Sequence, residues 1–338
     1  MPSLAVKYRP TTWDEVVGQS INVSILKKQI ESKCFKNAYL FCGTSGTGKT
    51  TLARLFAKAI NNGVGEPIEI DGASNNGVDN IREIVNSAQE RSLSGTYKVF
   101  IIDETHALTN NAWQAFLKCI EETPKYTIFI FCTTDPQKIP TTILNRVMRF
   151  NFSRVSVEHI QSRLEYICQQ EHFTNYEESV AYISKICDGS MRNAISMLEK
   201  VSEYNTDISI NNTLAVLGDF SYTTYFNLIN AIIDRDTASI LSILQYLYNN
   251  GADFKVFTEQ FLTFCIECLK FVIFHSMTVV QIPATMEAEV RKATTFDNAD
   301  KYYSYFIDKL LSLKNMLKTD TSPYSTTQST LLQMARLV

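Results

Sequence analysis

Residues 38–60 read Ala38-Tyr39-Leu40-Phe41-Cys42, then Gly43-Thr44-Ser45-Gly46-Thr47-Gly48-Lys49-Thr50, then Thr51-Leu52-Ala53-Arg54-Leu55-Phe56-Ala57-Lys58-Ala59-Ile60. The first run is short and wholly apolar, the pattern of a buried strand. From Thr51 to Ile60, Leu52, Leu55, Phe56 and Ala59 recur at helical spacing. The turn between them fits GxxxxGK[ST], in the strand–turn–helix context that this pattern requires. Its glycines let backbone N–H groups close around phosphate oxygens. The following helix points the positive end of its dipole at the same anion. Gly43 to Thr51 is therefore expected to hold the phosphates of ATP, with Lys49 on the β and γ phosphates and Thr50 on Mg²⁺.

Working outward, three more strand-like runs appear at Pro67–Ile70, Val99–Ile102 and Thr127–Cys132, separated by helical stretches at 80–91 and 111–121. Alternating strands and helices predict an α/β domain with a parallel sheet covered on both faces. The run Val99-Phe100-Ile101-Ile102 delivers Asp103 and Glu104 to its carboxyl end, where ligands of such sheets sit. Asp103 is expected to hold Mg²⁺, and Glu104 to polarise an attacking water. A second strand ends Cys132-Thr133-Thr134-Asp135. Thr134 is the candidate to orient that water near the γ-phosphate, the alternative being a plain turn residue. His106 is read as structural.

Beyond Phe152 the pattern turns to helices alone. Stretches 157–171, 177–187 and 191–202 form an expected lid, and apolar stripes at 228–233, 240–247, 257–274, 302–317 and 327–337 form a terminal bundle. The expected division is 1–152, 153–218 and 219–338. With 338 residues and 45% hydrophobic content, the chain can bury more than one core. The apolar run Phe261–Ile266 is soon broken by Glu267 and Lys270, too short to span a bilayer. With no secretory leader at the N-terminus, no membrane partner and a cytoplasmic location are expected. The eight cysteines show no disulfide framework, and Cys265 and Cys268 sit inside a helical apolar pattern, where core packing outweighs metal chemistry. A net charge of −3 means that any nucleic-acid contact must come from a local patch.

Several stretches together resemble the clamp-loader ATPases, both the gamma/tau type of bacterial DNA polymerase III and the small subunits of replication factor C. They are Val6-Lys7-Tyr8-Arg9-Pro10, Trp13-Asp14-Glu15-Val16-Val17-Gly18-Gln19, Ile68 to Asp79, Lys98 to His106, Ala115-Phe116-Leu117-Lys118 and Thr133 to Pro140. The segment Ile68 to Asp79 is specific to gamma/tau. The likeness is strong over residues 5–200 and continues beyond by helical pattern only.

The resemblance implies an AAA+ fold: a P-loop sheet domain, a helical lid and a helical collar. It places Tyr8, Arg9, Pro10 and Val17 around adenine. It makes Arg192, in Gly189-Ser190-Met191-Arg192, the lid arginine that senses the γ-phosphate. It makes Arg146 a finger acting in trans on the neighbouring subunit's ATP. Here Arg146 is flanked by Asn145 and Val147 rather than the family's Ser and Cys. In place of the family's four-cysteine zinc module there is only Asn61 to Glu66, so no zinc is expected. The chain stops after the bundle, which matches a gamma-length subunit without tau's extension. Were it phage-encoded, the location would be the host's cytoplasm.

The implied function is to open a ring-shaped sliding clamp and place it on primer–template DNA, using ATP. The subunits would form a homo- or hetero-oligomeric ring, expected to be a pentamer. On helix 111–121, Trp113, Phe116, Leu117 and Ile120 make a core face. Lys118 lies on the other side and is a candidate for DNA or subunit contact, with Arg82 and Lys138 as further candidates. Several subunits each offering one or two cations could jointly hold a phosphate backbone. Two other readings stay open at this point: a ring member that binds nucleotide without hydrolysing it, and a DNA-translocating motor of the branch-migration type.

Overall fold

A computed structural model describes residues 3–92, 95–217, 220–283 and 286–337. Along the chain, α1 (Leu4–Lys7) and α2 (Ser20–Ser32) precede β1 (Ala38–Cys42). Then come α3 (Lys49–Ile60), β2 (Ile68–Asp71), α4 (Val78–Ala88), β3 (Lys98–Asp103), α5 (Asn110–Glu121), β4 (Thr127–Thr133), α6 (Thr141–Leu144) and β5 (Met148–Asn151). Helices follow: α7 (Val157–Gln170), α8 (Glu177–Ile186), α9 (Met191–Tyr204), α10 (Ile210–Leu217), α11 (Tyr222–Ile233) and α12 (Thr237–Asn249). The last are α13 (Phe254–Phe274), α14 (Glu287–Thr294), α15 (Ala299–Met316) and α16 (Pro323–Leu337). The chain divides into two compact units, Met1–His172 with Ile183–Glu199, and Phe173–Tyr182 with Lys200–Val338. The expected boundary at 218/219 lies outside the described residues.

In the first unit the strands form one parallel sheet in the order β2-β3-β4-β1-β5. Successive side chains of a strand face opposite ways, and both faces here are covered. Leu40, Phe100, Ile102, Phe129 and Phe131 join Trp113 and Phe116 of α5 on one face. Tyr39, Phe41, Val99, Ile101, Ile128 and Ile130 join Leu26 of α2 and Leu52 and Phe56 of α3 on the other. Double burial is why the central strands read as unbroken apolar runs.

Elements that lack such a run were not expected from the sequence. β5 buries only Phe150 among its four residues, yet it pairs along β1 with Tyr39 opposite Met148. α2 buries just Asn22 and Leu26, with Ile21 exposed, so its apolar stripe is faint. α10 and α14 are eight residues each, too short for a clear period. β2, by contrast, was expected at 67–70 and runs Ile68–Asp71 as an edge strand with Ile68 exposed. The gap 61–66 is a tight turn held by Asn61, whose Nδ2 donates to the Tyr97 carbonyl at 2.8 Å and whose Oδ1 accepts from the Tyr97 N–H at 2.8 Å.

Phe116 is fully buried between Trp113, Phe129 and Phe131, with edge-on ring contacts to the last two at 5.7 and 5.3 Å. Phe116→Ala should cost about 3–5 kcal/mol of stability, the usual penalty for emptying an aromatic site. Urea unfolding of variant and parent would measure it. A loss under about 1 kcal/mol would mean that the α5 face is not the packed layer described.

In the second unit, α13 packs along α15 around Phe257, Phe261, Tyr303 and Phe306, all fully buried. Cys265 and Cys268 belong to this core as free thiols, and burial pushes the Cys268 thiol up to about 12. Glu267 is buried beside them but satisfied: it accepts from Lys270 Nζ at 2.6 Å and from the Gln281 N–H at 2.7 Å. Among the described residues no helix is long and apolar enough to cross a membrane.

Candidate nucleotide site

Because all the strands run parallel, their carboxyl ends share one edge of the sheet. Cys42 stands opposite Thr133 and Asp71 opposite Asp103 in the strand registers. The glycine-rich turn leaves β1 at this edge. Gly46 and Gly48 take φ of +74° and +97°, values that an L side chain rarely adopts. α3 then begins at Lys49, two residues before the helical spacing expected from the sequence, so Lys49 and Thr50 lie in its first turn.

Gly46 has a second constraint. Its carbonyl accepts from the Met191 N–H at 3.1 Å, at the start of α9, and a Cβ there would overlap Ser190 Oγ. Gly46→Ala therefore meets both an unfavourable backbone and an occupied space. Nucleotide affinity should fall at least about tenfold, matching the 1–3 kcal/mol typical of such strain. A nucleotide titration that gave the parent's affinity would show that the turn tolerates a side chain.

Around this turn lies a cavity of about 440 Å³, in the range of small-ligand sites. Tyr8, Arg9, Pro10 and Val17 line one part, Ser45 to Thr51 another, and Asp103, Glu104 and Arg192 also face it. The structure thus gathers nearly all the residues expected around ATP. Gly43 and Thr44 sit just behind the lining, where their carbonyls accept from Lys49 Nζ at 2.8 and 2.9 Å. Lys49 is only 6% exposed. Burial lowers its pKa, opposed by Cys132, Glu104 and Asp103.

Thr50 Oγ1 donates to Asp103 Oδ2 at 2.6 Å. A hydroxyl and a carboxylate in contact are hard oxygen ligands, and they fit Mg²⁺, which takes few protein ligands and completes its shell with phosphate and water. Among the described residues, no group of three or more His, Cys, Asp or Glu is placed to hold a metal by itself.

Glu104 adopts φ +47°, a left-handed conformation for a residue with a side chain, and its N–H donates to Asp103 Oδ1 at 2.9 Å. Such strain persists only where the surroundings enforce it. Thr134 Oγ1 lies 3.4 Å from Glu104 Oε2, and His106 Nδ1 lies 3.3 Å from the same oxygen. His106 therefore touches the candidate base, a contact that the sequence reading did not anticipate. The only available signal was its position two residues after Glu104.

Other candidates lie away from this cavity. Arg146 pairs with Glu121 at 2.6 Å and donates to the Thr142 carbonyl at 2.7 Å. Arg82 pairs with Asp79 at 3.1 Å, and Lys138 with Asp135 at 3.4 Å. Lys118 is exposed on α5, as are Asn111 and Gln114. The lining also includes residues missed from the sequence: Glu15, Arg54, Glu69, Asp71 and Arg163. Arg54 and Glu69 form an ion pair at 2.5 Å. Nothing in local periodicity could have found Arg163, whose place depends on how α7 packs.

Comparison with known proteins agrees with this picture. Residues 66–156 match the family model described as DNA polymerase III, delta subunit, and residues 208–298 match that for DNA polymerase III subunits gamma and tau domain III. The chain is 37% identical over 268 residues to DNA polymerase III subunit tau of Bacillus subtilis, covering 73% of this chain and 48% of that protein. It is 32% identical to DNA polymerase III subunit gamma of Buchnera aphidicola from Acyrthosiphon pisum, covering 84% of this chain and 82% of that one. The chain spans about half the length of several tau and gamma/tau relatives it matches. Among solved structures, the Thermotoga maritima RuvB Holliday junction branch migration motor matches with a TM-score of 0.53 at 20% identity, over 67% of this chain and 79% of that one. That likeness is one of fold. By sequence, the chain belongs to the gamma/tau family of DNA polymerase III subunits.

Proposed function

We propose that the chain is an ATP-hydrolysing subunit of a sliding-clamp loader, which uses ATP to place a ring-shaped processivity clamp on primer–template DNA. The observation that carries this reading is the meeting of Lys49, Thr50, Asp103 and Glu104 in one cavity that Arg192 also lines. In the mechanism, Lys49 turns from its two carbonyls to the β and γ phosphates. Thr50 and Asp103 hold Mg²⁺, which when bound neutralises phosphate charge. Glu104 takes a proton from the attacking water, and Thr134 orients that water. Tyr8, Arg9, Pro10 and Val17 enclose adenine, and Arg192 contacts the γ-phosphate.

Arg146 stands outside its own chain's cavity, on an exposed ion pair with Glu121. That placement favours action on a neighbour's ATP, within a ring that we take to be a pentamer. Such a ring would bind the clamp and primer–template DNA. Lys118 is the leading cation for DNA, since Arg82 and Lys138 are each engaged by an adjacent acid. On the expected division at 152 and 218, these roles fall to a sheet domain and a lid, with the helices beyond 218 as a collar.

The test is an ATPase assay with clamp, with primed DNA, with both and with neither, beside native mass measurement. Stimulation that needs clamp and DNA together supports the loader. Stimulation by DNA alone would favour a translocating motor, and absence of turnover in every arm would leave a nucleotide-binding scaffold.

A further inference from the structure

Residues 4–10, which carry Tyr8, Arg9 and Pro10 to the cavity, have little means of holding themselves in place. α1 is four residues long and buries only Leu4. A helix this short is not stable alone. Long-range bonds fix it instead. The Leu4 N–H donates to Glu199 Oε1 of α9 at 2.8 Å. Lys7 Nζ reaches Glu171 Oε1, at the end of α7, at 2.6 Å, and the Tyr8 hydroxyl donates to that same oxygen. Arg163 of α7 donates to the Tyr8 carbonyl at 2.9 Å, and its guanidinium lies 5.1 Å over the Tyr166 ring, which Tyr8 meets edge-on at 6.3 Å.

Every one of these partners sits on α7 or α9, the helices that follow the sheet, and none on the sheet itself. The phosphate end of the cavity is built on β1, β3 and α3; the wall expected to meet the base is hung from the helical layer that also carries Arg192. Glu171 is the central fastening, because a single carboxylate oxygen takes both Lys7 and Tyr8. It does not itself line the cavity. Lys7 and Tyr8 hold the Glu171 carboxyl below the usual range. Burial, with the Glu171 carboxylate, pushes the Tyr8 hydroxyl up to about 12, so it remains a donor throughout the neutral range.

We infer that Glu171 is a positioning residue for nucleobase binding: through Lys7 and Tyr8 it holds the base wall in place, and so sets affinity for the nucleoside part of the ligand but not for its phosphates. The inference rests on the nucleotide-site reading above. It distinguishes two ligands that share a phosphate chain, ATP and inorganic tripolyphosphate.

Binding of each to Glu171→Ala, Glu171→Gln, Lys49→Ala and the parent would be measured by calorimetry, with turnover at saturating ATP. Glu171→Ala should bind ATP about tenfold more weakly, the loss of a charge-assisted bond pair, and tripolyphosphate as the parent does. Its kcat should be unchanged, with the effect confined to KM. Glu171→Gln still accepts from Tyr8 and should fall between the two. Parent-like ATP affinity in Glu171→Ala, or equal weakening of both ligands, would overturn the inference. Should Glu171→Ala fail to fold, Glu171→Gln decides on the same criterion. Lys49→Ala tests the underlying site separately: if it binds tripolyphosphate as well as the parent, the phosphate site is misplaced, whatever Glu171 does.

Discussion

Glu104→Gln is expected to bind ATP as the parent does and to turn it over about 10²- to 10⁴-fold more slowly, the usual contribution of a positioned general base. The amide keeps the size and shape of the carboxylate, so the left-handed backbone at Glu104 and the neighbouring Thr134 hydroxyl have no reason to move. What is lost is the ability to accept a proton from water. Lys49, Thr50 and Asp103, which hold phosphate and metal in the proposed mechanism, remain intact, so affinity should survive. Equilibrium binding of a fluorescent ATP analogue beside single-turnover hydrolysis would separate the two effects. Parent-like turnover would remove Glu104 from the mechanism and shift attention to His106, 3.3 Å from it.

The second large effect is at Lys49. Its amine is buried and donates to the Gly43 and Thr44 carbonyls of the glycine-rich turn. Lys49→Met should weaken ATP binding by about 10²-fold, since a charge-assisted contact to phosphate is worth about 1.5–3 kcal/mol and more than one is lost. Stability should respond differently. Burial lowers the Lys49 pKa, so the folded state holds its proton less firmly than the unfolded chain. Below that lowered pKa both states are protonated, and the desolvation penalty is present in full. As pH rises through it toward the ordinary lysine value, the folded state loses its proton first and the penalty disappears. The parent should therefore gain stability relative to Lys49→Met as pH rises toward the lysine range. Urea unfolding of both proteins across that range would measure this. A difference independent of pH would mean that Lys49 is better solvated than its burial implies.

Much of this site was legible in the sequence because its parts are local. The turn from Gly43 to Thr50 calls for glycine at 46 and 48 by its backbone alone, through their positive φ. The run Val99–Ile102 declares a strand covered on both faces, and such a strand must deliver Asp103 to the sheet's ligand-binding edge. By contrast, helix α2 and the edge strand β5 bury too few side chains to leave a period in the sequence.

By itself, then, the sequence determined the glycine-rich turn between β1 and α3, the acids at the end of β3, the parallel sheet and the family, because each rests on neighbouring residues and on backbone rules that act over a few positions. Tertiary structure alone decided that Thr50 meets Asp103, that His106 reaches Glu104, and that Glu171 fastens Lys7 and Tyr8. Those partners are brought together by strand order and helix packing, which depend on how the whole chain buries its apolar surface and leave no mark in the spacing of any one segment.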